Sequence, residues 1–144
     1  MGMFGSIDSA ASGLTAERLR MDVISNNIAN VNTTRTAEGG AYRRQMVTFA
    51  PRENEATFAQ VLSENLKTGT GVRVVGINKD NSPTRRVYDP AHPDANQDGY
   101  VEMPNINIVS EMVDMIGATR AYEANVTVLN AAKSMALKAL EIGK

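Results

Sequence analysis

The C-terminal stretch 105–144 constrains the fold of this chain more than any other segment. No proline follows Pro104, and Gly117 is the only glycine in the interior of the stretch. Asn107 is a favourable N-cap, and the acidic residues that follow it suit the positive end of a helix dipole. The sequence therefore predicts a single helix over Ile108–Ile142, about 50 Å long at about 1.5 Å per residue.

Apolar side chains recur along this helix in alternating steps of four and three residues, the spacing of a coiled-coil seam. A second stripe, built mainly of small residues, lies on another side of the C-terminal half. A helix that is apolar on two sides needs more than one neighbour. The alternative is a buried helix of an ordinary helical domain, but so short a chain has little other helix to cover it. The first seam consists of Ile108, Met112, Met115, Tyr122, Val126, Leu129, Ala136 and Leu140, and the second seam of Ala121, Ala124, Val128, Ala131, Met135 and Ile142.

A second long helix is expected near the N-terminus, capped by Ser6 or Asp8 and running to about Val31. Its apolar residues are again spaced by threes and fours, with Glu17 at the position missing from the series. Gly13 costs the helix about 1 kcal/mol relative to alanine, which indicates either close packing there or a glycine that the helix merely tolerates. Two helices from opposite ends of the chain run antiparallel if they pair. The N-terminal seam consists of Ile7, Leu14, Met21, Ile24, Ile28 and Val31.

The end of this first helix is rich in asparagine, a poor helix former that competes for backbone hydrogen bonds. Two interpretations remain open at this point. The motif is either a fraying helix C-terminus or an amide-rich surface that recognises a neighbouring subunit. The asparagine motif consists of Ser25, Asn26, Asn27, Asn30 and Asn32.

The middle of the chain predicts a small β-rich insert. A polar loop precedes several short alternating runs that favour strands and one run that favours a short amphipathic helix. The fold class is therefore α+β: an antiparallel coiled-coil pair of long terminal helices, with the insert between them. We divide the chain into 1–33, 34–104 and 105–144. The expected strands cover Tyr42–Phe49, Val72–Ile77, Thr84–Tyr88 and Tyr100–Met103, and the expected short helix covers Asn54–Leu66.

Composition argues against several classes of function. The formal net charge is -1, so no strong field attracts nucleic acid or an anionic membrane. The absence of cysteine excludes disulfides and thiolate metal sites. No stretch predicts a cleavable secretory signal or a membrane-spanning segment.

One loop carries residues that bear on a metal or a catalytic role. Residues 94–99, DANQDG, fit the first half of an EF-hand loop, but Asn105 stands where a bidentate glutamate is required. A turn held by asparagine and aspartate side chains is the competing interpretation. His92, the only histidine, cannot form a multi-histidine metal site, and nothing marks a matching catalytic serine. We predict no catalytic, cofactor or metal residues; a calcium-binding module and an enzyme that uses His92 remain the alternatives.

The two ends of the chain resemble the bacterial flagellar rod and hook proteins. Residues 12–16, SGLTA, followed by 25–33, SNNIANVNT, match the N-terminal signature of that family. Residues 122–125, YEAN, followed by an apolar helix, match its C-terminal signature. The short length, residues 39–43 (GGAYR) and the run 87–105 narrow the resemblance to one short member of the family, from the proximal part of the rod.

This resemblance implies a structural, non-enzymatic subunit of the flagellar basal body that assembles helically and transmits torque. It implies export through the flagellar type III apparatus without a cleaved signal peptide, and a final location in the periplasmic space. The implied partners are further copies of the chain, the rod proteins FlgB, FlgF and FlgG, and the junction protein FliE near the MS ring. It implies no nucleic acid, no cofactor and no direct membrane insertion.

Overall fold

The computed structural model describes residues 3–52 and 71–142. Two long helices flank short strands, so the α+β class is confirmed. Strands β1 and β2 form one two-stranded sheet, and β3 and β4 form another, which is antiparallel. No helix in the described ranges is long and apolar enough to cross a membrane. In chain order the elements are α1 (Met3–Ala29), β1 (Gln45–Pro51), β2 (Val72–Lys79), β3 (Arg85–Tyr88), β4 (Tyr100–Met103) and α2 (Ile108–Ile142).

Helix α2 has the predicted bounds. The side-chain oxygen of Asn107 accepts hydrogen bonds from the backbone N–H groups of Val109 (3.0 Å) and Ser110 (3.4 Å). The backbone oxygen of Asn107 accepts from the N–H of Glu111 at 3.0 Å. The predicted N-cap is therefore confirmed, and it satisfies amide groups that the first helical turn leaves without partners.

Helix α1 begins at Met3, before the expected caps Ser6 and Asp8, and ends at Ala29. Both polar residues are accommodated inside its first turns. At its C-terminal end the helix stops within the asparagine motif. The side-chain amide of Asn30 donates to the backbone oxygen of Asn26 (2.9 Å). The backbone N–H of Asn30 donates to the same oxygen at 3.1 Å, so the side-chain bond adds to the last helical turn.

The strands lie close to their predicted positions. Strand β1 starts at Gln45 rather than Tyr42, because the N–H of Tyr42 bonds back to the oxygen of Thr33 at 3.0 Å. Strand β2 extends beyond the predicted Ile77 to Lys79. The predicted helix over Asn54–Leu66 lies outside the described residues.

The chain forms two compact units. Within the described ranges, unit 1 holds residues 3–19, 48–52, 71–76 and 118–142, and unit 2 holds residues 20–47 and 77–117.

Small side chains dominate the buried positions of unit 1. Ala10, Ala16, Ala118 and Ala132 are all buried. An added Cβ at Gly13 would lie 2.9 Å from the side-chain nitrogen of Asn125, so close packing, the first of the two interpretations of this glycine, is confirmed. Small residues of this kind let two backbones approach closely, and a larger side chain has no room there.

A second close approach in unit 1 joins α1 to the start of β2. The Ser12 hydroxyl donates to the backbone oxygen of Ser9 at 2.7 Å and accepts from the N–H of Val72 at 3.0 Å. Gly71 precedes this bond with a φ of +105°, in the left-handed region. A Cβ at Gly71 would collide with the Ser12 side chain and lie 3.3 Å from the Ser9 Cα.

Gly71→Ala is expected to lower the free energy of unfolding by about 2–3 kcal/mol, because a left-handed φ and a steric conflict with backbone act together. Gly39→Ala is the matched control. Gly39 has a φ of +90° but open space around it, so it isolates the conformational cost, about 1 kcal/mol. Urea titrations of both variants give the comparison. Equal losses at the two glycines would show that the contact with α1 is unimportant.

Unit 2 combines apolar packing with a polar interior. Val23, Ile24 and Val101 are its buried apolar side chains, with relative exposures of 6%, 5% and 2%. In the β3–β4 pair Tyr88 lies opposite Tyr100, and their rings meet edge-on with centroids 5.3 Å apart. This geometry is favourable for aromatic pairs and fixes the end of the hairpin.

Candidate functional site

The most highly organised group in unit 2 centres on Asn27, whose side chain is 1% exposed. Its amide nitrogen donates to the backbone oxygen of Gln45 (2.8 Å) and to Oε2 of Glu111 (3.0 Å). Its carbonyl oxygen accepts from the backbone N–H of Gln45 (2.9 Å) and from the hydroxyl of Tyr42 (3.1 Å). Both donor positions and both acceptor positions of the carboxamide are therefore used.

Glu111 is fully buried in the first turn of α2. Its Oε1 receives Nε of Arg44 at 2.5 Å, and its Oε2 receives the Asn27 amide. The same guanidinium reaches Oδ2 of Asp114 at 3.0 Å. A buried carboxylate is tolerated only when it is paired and hydrogen-bonded, and here both of its oxygens have partners.

The backbone of Arg44 is fixed as firmly as its side chain. Its N–H donates to Oδ1 of Asn105 at 3.1 Å, and its carbonyl oxygen accepts from the N–H of Asp80 at 2.8 Å. The guanidinium therefore approaches α2 from a segment, just before β1, whose backbone is itself held by two hydrogen bonds. We call Asn27, Tyr42, Arg44, Glu111 and Asp114 the polar cluster.

The polar cluster is suited to positioning rather than to catalysis. Its carboxylate and carboxamide oxygens accept bonds from fixed donors, and short charge-assisted bonds make the arrangement rigid. It joins α1, the start of β1 and the start of α2 through residues far apart in the chain.

Burial raises the pKa of the Tyr42 hydroxyl above 10.0, and the negative charge of Glu111 raises it further. The contribution of this neutral hydroxyl to the free energy of unfolding is therefore fully present below about pH 10. It is lost as the pH rises through the folded-state pKa. We expect the free energy of unfolding to fall more steeply above pH 10 in the wild type than in Tyr42→Phe. Urea titrations from pH 8 to pH 11 measure the two slopes. Parallel curves would show that Tyr42 does not contribute.

The other members of the asparagine motif lie nearer the surface. The side-chain amide of Asn30 donates to the side-chain oxygen of Asn26 at 2.9 Å, and its own oxygen accepts from the Thr33 hydroxyl at 3.1 Å. Ser25 and Asn32 are exposed. The motif therefore contains one buried asparagine, a hydrogen-bonded turn and two outward-facing residues. Recognition of a neighbouring subunit by the exposed members stays a prediction.

The predicted seam residues of α2 are divided between covered and exposed positions. Of the first seam, Met115, Tyr122, Val126, Leu129 and Ala136 are half-buried, while Ile108, Met112 and Leu140 are exposed. Of the second seam, Ala121 is half-buried, and Ala124, Val128, Ala131, Met135 and Ile142 are exposed. The buried positions of α2 are Glu111, Ala118 and Ala132.

The covered face of α2 is therefore rotated relative to the first seam. Starting from Glu111 it steps by four and three through Met115, Ala118 and Tyr122, and the same steps reach Ala132. The two stripes share half of their positions. The covered face includes alanines because small residues permit a close neighbour, while larger apolar residues beside them stay exposed.

The N-terminal seam lies at covered positions. Ile24 is buried, with 5% relative exposure. The remaining members are half-buried: Ile7, Leu14, Met21, Ile28 and Val31.

Sequence reasoning missed the partners of Asn27. Glu111 was assigned only to the helix dipole, and Arg44 and Tyr42 were given no role in a site. A signal is present for Glu111, which stands four residues before Met115 on a series that continues through Ala118. A charged residue at such a position is costly unless it has a buried partner.

The loop over residues 94–99 has the geometry of a structural turn. The side-chain oxygen of Asn96 accepts from the N–H groups of Asp98 (3.0 Å) and Tyr100 (2.9 Å), and Asp94 accepts from the Thr34 hydroxyl at 2.8 Å. Nδ1 of His92 accepts from the N–H of Asp94 at 3.1 Å. In the ranges 3–52 and 71–142 no three His, Cys, Asp or Glu side chains lie close enough to hold a metal ion.

Two family models match the terminal parts of the chain. The model described as "Flagella basal body rod protein" matches residues 7–35. The model described as "Flagellar basal body rod FlgEFG protein C-terminal" matches residues 97–142. The first match contains the asparagine motif, and the second contains β4 and α2.

Curated relatives match along the entire length. A flagellar basal-body rod protein FlgC from Borreliella burgdorferi is 57% identical, covering 99% of this chain and 98% of the relative. The chain belongs to the FlgC family of flagellar basal-body rod proteins. FlgC proteins of Bacillus subtilis and Escherichia coli O157:H7 are 47% and 40% identical, each over 100% of both chains. The resemblance inferred from the terminal motifs is thus confirmed, and the polar cluster belongs to a FlgC-family subunit.

Proposed function

We propose that this chain is a structural, non-enzymatic subunit of the bacterial flagellar basal-body rod. It assembles helically with copies of itself and with other rod proteins, and the assembly transmits torque. Its proposed neighbours are FlgB, FlgF and FlgG, with FliE near the MS ring. The proposed location is the periplasmic part of the basal body, reached through the flagellar export apparatus without a cleaved signal peptide. Full-length similarity to FlgC proteins supports this assignment.

The observation that carries the proposal is the amount of apolar surface left exposed along α2. Burying one such side chain is worth about 1.5–3 kcal/mol, so a helix with so many of them favours association over solvent exposure. The chain has nothing in its described part that covers them. These exposed side chains are Ile108, Val109, Met112, Val113, Ile116, Val128, Met135, Leu137, Leu140 and Ile142.

We propose that α1 and α2 form an antiparallel coiled-coil pair. Two contacts in unit 2 support this direction. Arg20 approaches Asp114 (3.9 Å), and Asn27, further along α1, bonds to Glu111, which comes earlier in α2. In unit 1, Gly13 lies against Asn125, which continues the same order. The proposed division into the segments 1–33 and 105–144, which contain α1 and α2, around an insert 34–104 follows from this pairing.

The two seams of α2 have different proposed partners. The half-buried members of the first seam, such as Tyr122 and Leu129, face the chain's own α1. The second seam, with Val128, Met135 and Ile142 exposed, faces adjacent subunits in the rod. The exposed members of the first seam, near the ends of α2, add to this outer surface.

Met135→Glu tests the assembly surface. Met135 is 62% exposed, so the variant subunit should keep its stability to within about 0.5 kcal/mol. In the rod, the same charge would be buried among apolar neighbours without a partner, which is strongly unfavourable. We expect cells carrying Met135→Glu to be non-motile and their basal bodies to lack a complete rod in electron micrographs.

Ser134→Glu is the matched control, because Ser134 is also exposed but lies one residue away, on the polar side of α2. Cells carrying it should swim. His92→Ala should also leave motility intact, which separates the structural role from an enzymatic one. A motile Met135→Glu strain would rule out the second seam as an assembly surface.

A further inference from the structure

The polar cluster is placed where an apolar contact would ordinarily be found. Val23 and Ile24 are buried one turn before Asn27 on α1, and Met115 follows Glu111 by four residues on α2. A buried carboxylate and a buried carboxamide lie within this apolar setting. The side-chain oxygen and nitrogen atoms of both groups have hydrogen-bond partners. Buried ion pairs add little net stability compared with apolar side chains of the same size, because both charges must lose their hydration.

The apolar part of the contact does not by itself define how far α1 is displaced along α2. A four-three repeat presents a similar pattern after a shift of seven residues, so several alignments bury comparable apolar surface. The polar residues make one of these alignments more favourable than the others. Seven residues from Glu111 stand Ala118 on one side and Pro104 on the other, and neither side chain can accept a bond from the Asn27 amide.

We propose that the cluster of Asn27, Arg44 and Glu111 sets the register of α1 on α2 and contributes little to stability. The inference rests on the antiparallel pairing given under Proposed function. A shifted alignment leaves the Glu111 carboxylate buried without the Asn27 amide, and leaves that amide without its acceptor. Arg44 enforces the choice because its backbone is held by Asn105 and Asp80, so its guanidinium cannot follow Glu111 along the helix axis.

A single register matters for a subunit that must present a fixed surface to its neighbours. Sliding α1 by one heptad moves it by about 10 Å along α2 and changes which side chains lie beside one another on the outer face. A cluster that excludes shifted alignments therefore makes every copy of the subunit equivalent, which helical assembly requires.

The test measures register directly with pairs of spin labels on the purified full-length subunit. The chain has no cysteine, so introduced cysteines are labelled selectively. Labels at exposed Asp22 and Ser110 report the alignment within unit 2, and a second pair joins Asp22 to exposed Gly117. In the wild type each pair should give one narrow distance, and the distance to position 117 should be the shorter. The reverse order would overturn the antiparallel pairing itself.

The register claim is tested by making the cluster apolar with Asn27→Leu, Glu111→Leu and Arg44→Met together. The triple variant should keep its helix content and a cooperative melting transition, but should show a second or broadened distance displaced by about 10 Å. The matched control makes the exposed pair Lys138–Glu141 apolar and should retain the narrow distance. An unchanged narrow distance in the triple variant would overturn the inference. Loss of cooperative folding would also overturn it, because the cluster would then supply stability.

Discussion

Ile24→Glu is expected to lower the free energy of unfolding by about 4 kcal/mol, a large share of the roughly 5–15 kcal/mol that stabilises a typical domain. Ile24 is 5% exposed, and Val23 beside it is equally buried. The substitution removes a large apolar side chain and places a carboxylate at a buried position, and both changes are unfavourable. Urea titration of the purified subunit gives the magnitude. In cells we expect no rod and no motility.

Two neighbouring substitutions make this result interpretable. Ser25→Glu introduces the same charge one residue further along α1, at an exposed position, and should change stability by less than about 0.5 kcal/mol. Ile24→Leu keeps the volume and should cost less than about 1.5 kcal/mol. If Ile24→Glu proved as stable as Ser25→Glu, the packing described for unit 2 would be incorrect.

Arg44→Met should destabilise the subunit by about 3 kcal/mol, because it leaves the buried Glu111 carboxylate without its cation. The side chain of Glu111 is 1% exposed and that of Arg44 is 24% exposed. The loss of unfolding free energy should therefore be at the small end of what it costs to remove one partner of a buried ion pair. Chemical denaturation at neutral pH measures it. The variant also loses the bond to Asp114, which is more exposed and contributes less.

The neighbouring arginine provides a stringent control for this experiment. Arg43 is exposed and donates to the backbone oxygen of Ser82 at 3.4 Å, so Arg43→Met should have little effect. Adding Glu111→Leu to Arg44→Met removes the orphaned charge and should restore most of the lost stability. Failure of the double variant to recover would mean that the loss in Arg44→Met does not come from the orphaned Glu111 carboxylate.

Local sequence patterns were sufficient to predict the elements of this fold. Helix α2 is predicted and observed from Ile108 to Ile142, because a favourable cap at Asn107 is followed by a long stretch without proline. Strands β3 and β4 were recognised from short alternating runs. The start of β1 was misplaced by three residues, because a tertiary bond between Tyr42 and Thr33 overrides the strand propensity of that region.

The polar contacts inside unit 2 could not be predicted from local sequence patterns. The bond between Arg44 and Glu111 joins residues 67 positions apart, and no local periodicity encodes such a pair. An acidic residue near a helix start normally interacts with the dipole and with water, so its burial was not expected. The face that α2 buries was also predicted imperfectly, because large apolar residues were favoured over Ala118 and Ala132. Close helix contact selects the smaller side chains.

All donor and acceptor positions of the Asn27 carboxamide are hydrogen-bonded, so no chemically similar residue can replace it. Aspartate is isosteric with asparagine, but it exchanges the donating nitrogen for an oxygen and would set two carboxyl groups about 3 Å apart at Glu111, where like charges repel. Spontaneous deamidation would produce the same exchange without any mutation. Deamidation of Asn27 would therefore disrupt the polar cluster, and the burial and helical backbone of this residue oppose that reaction.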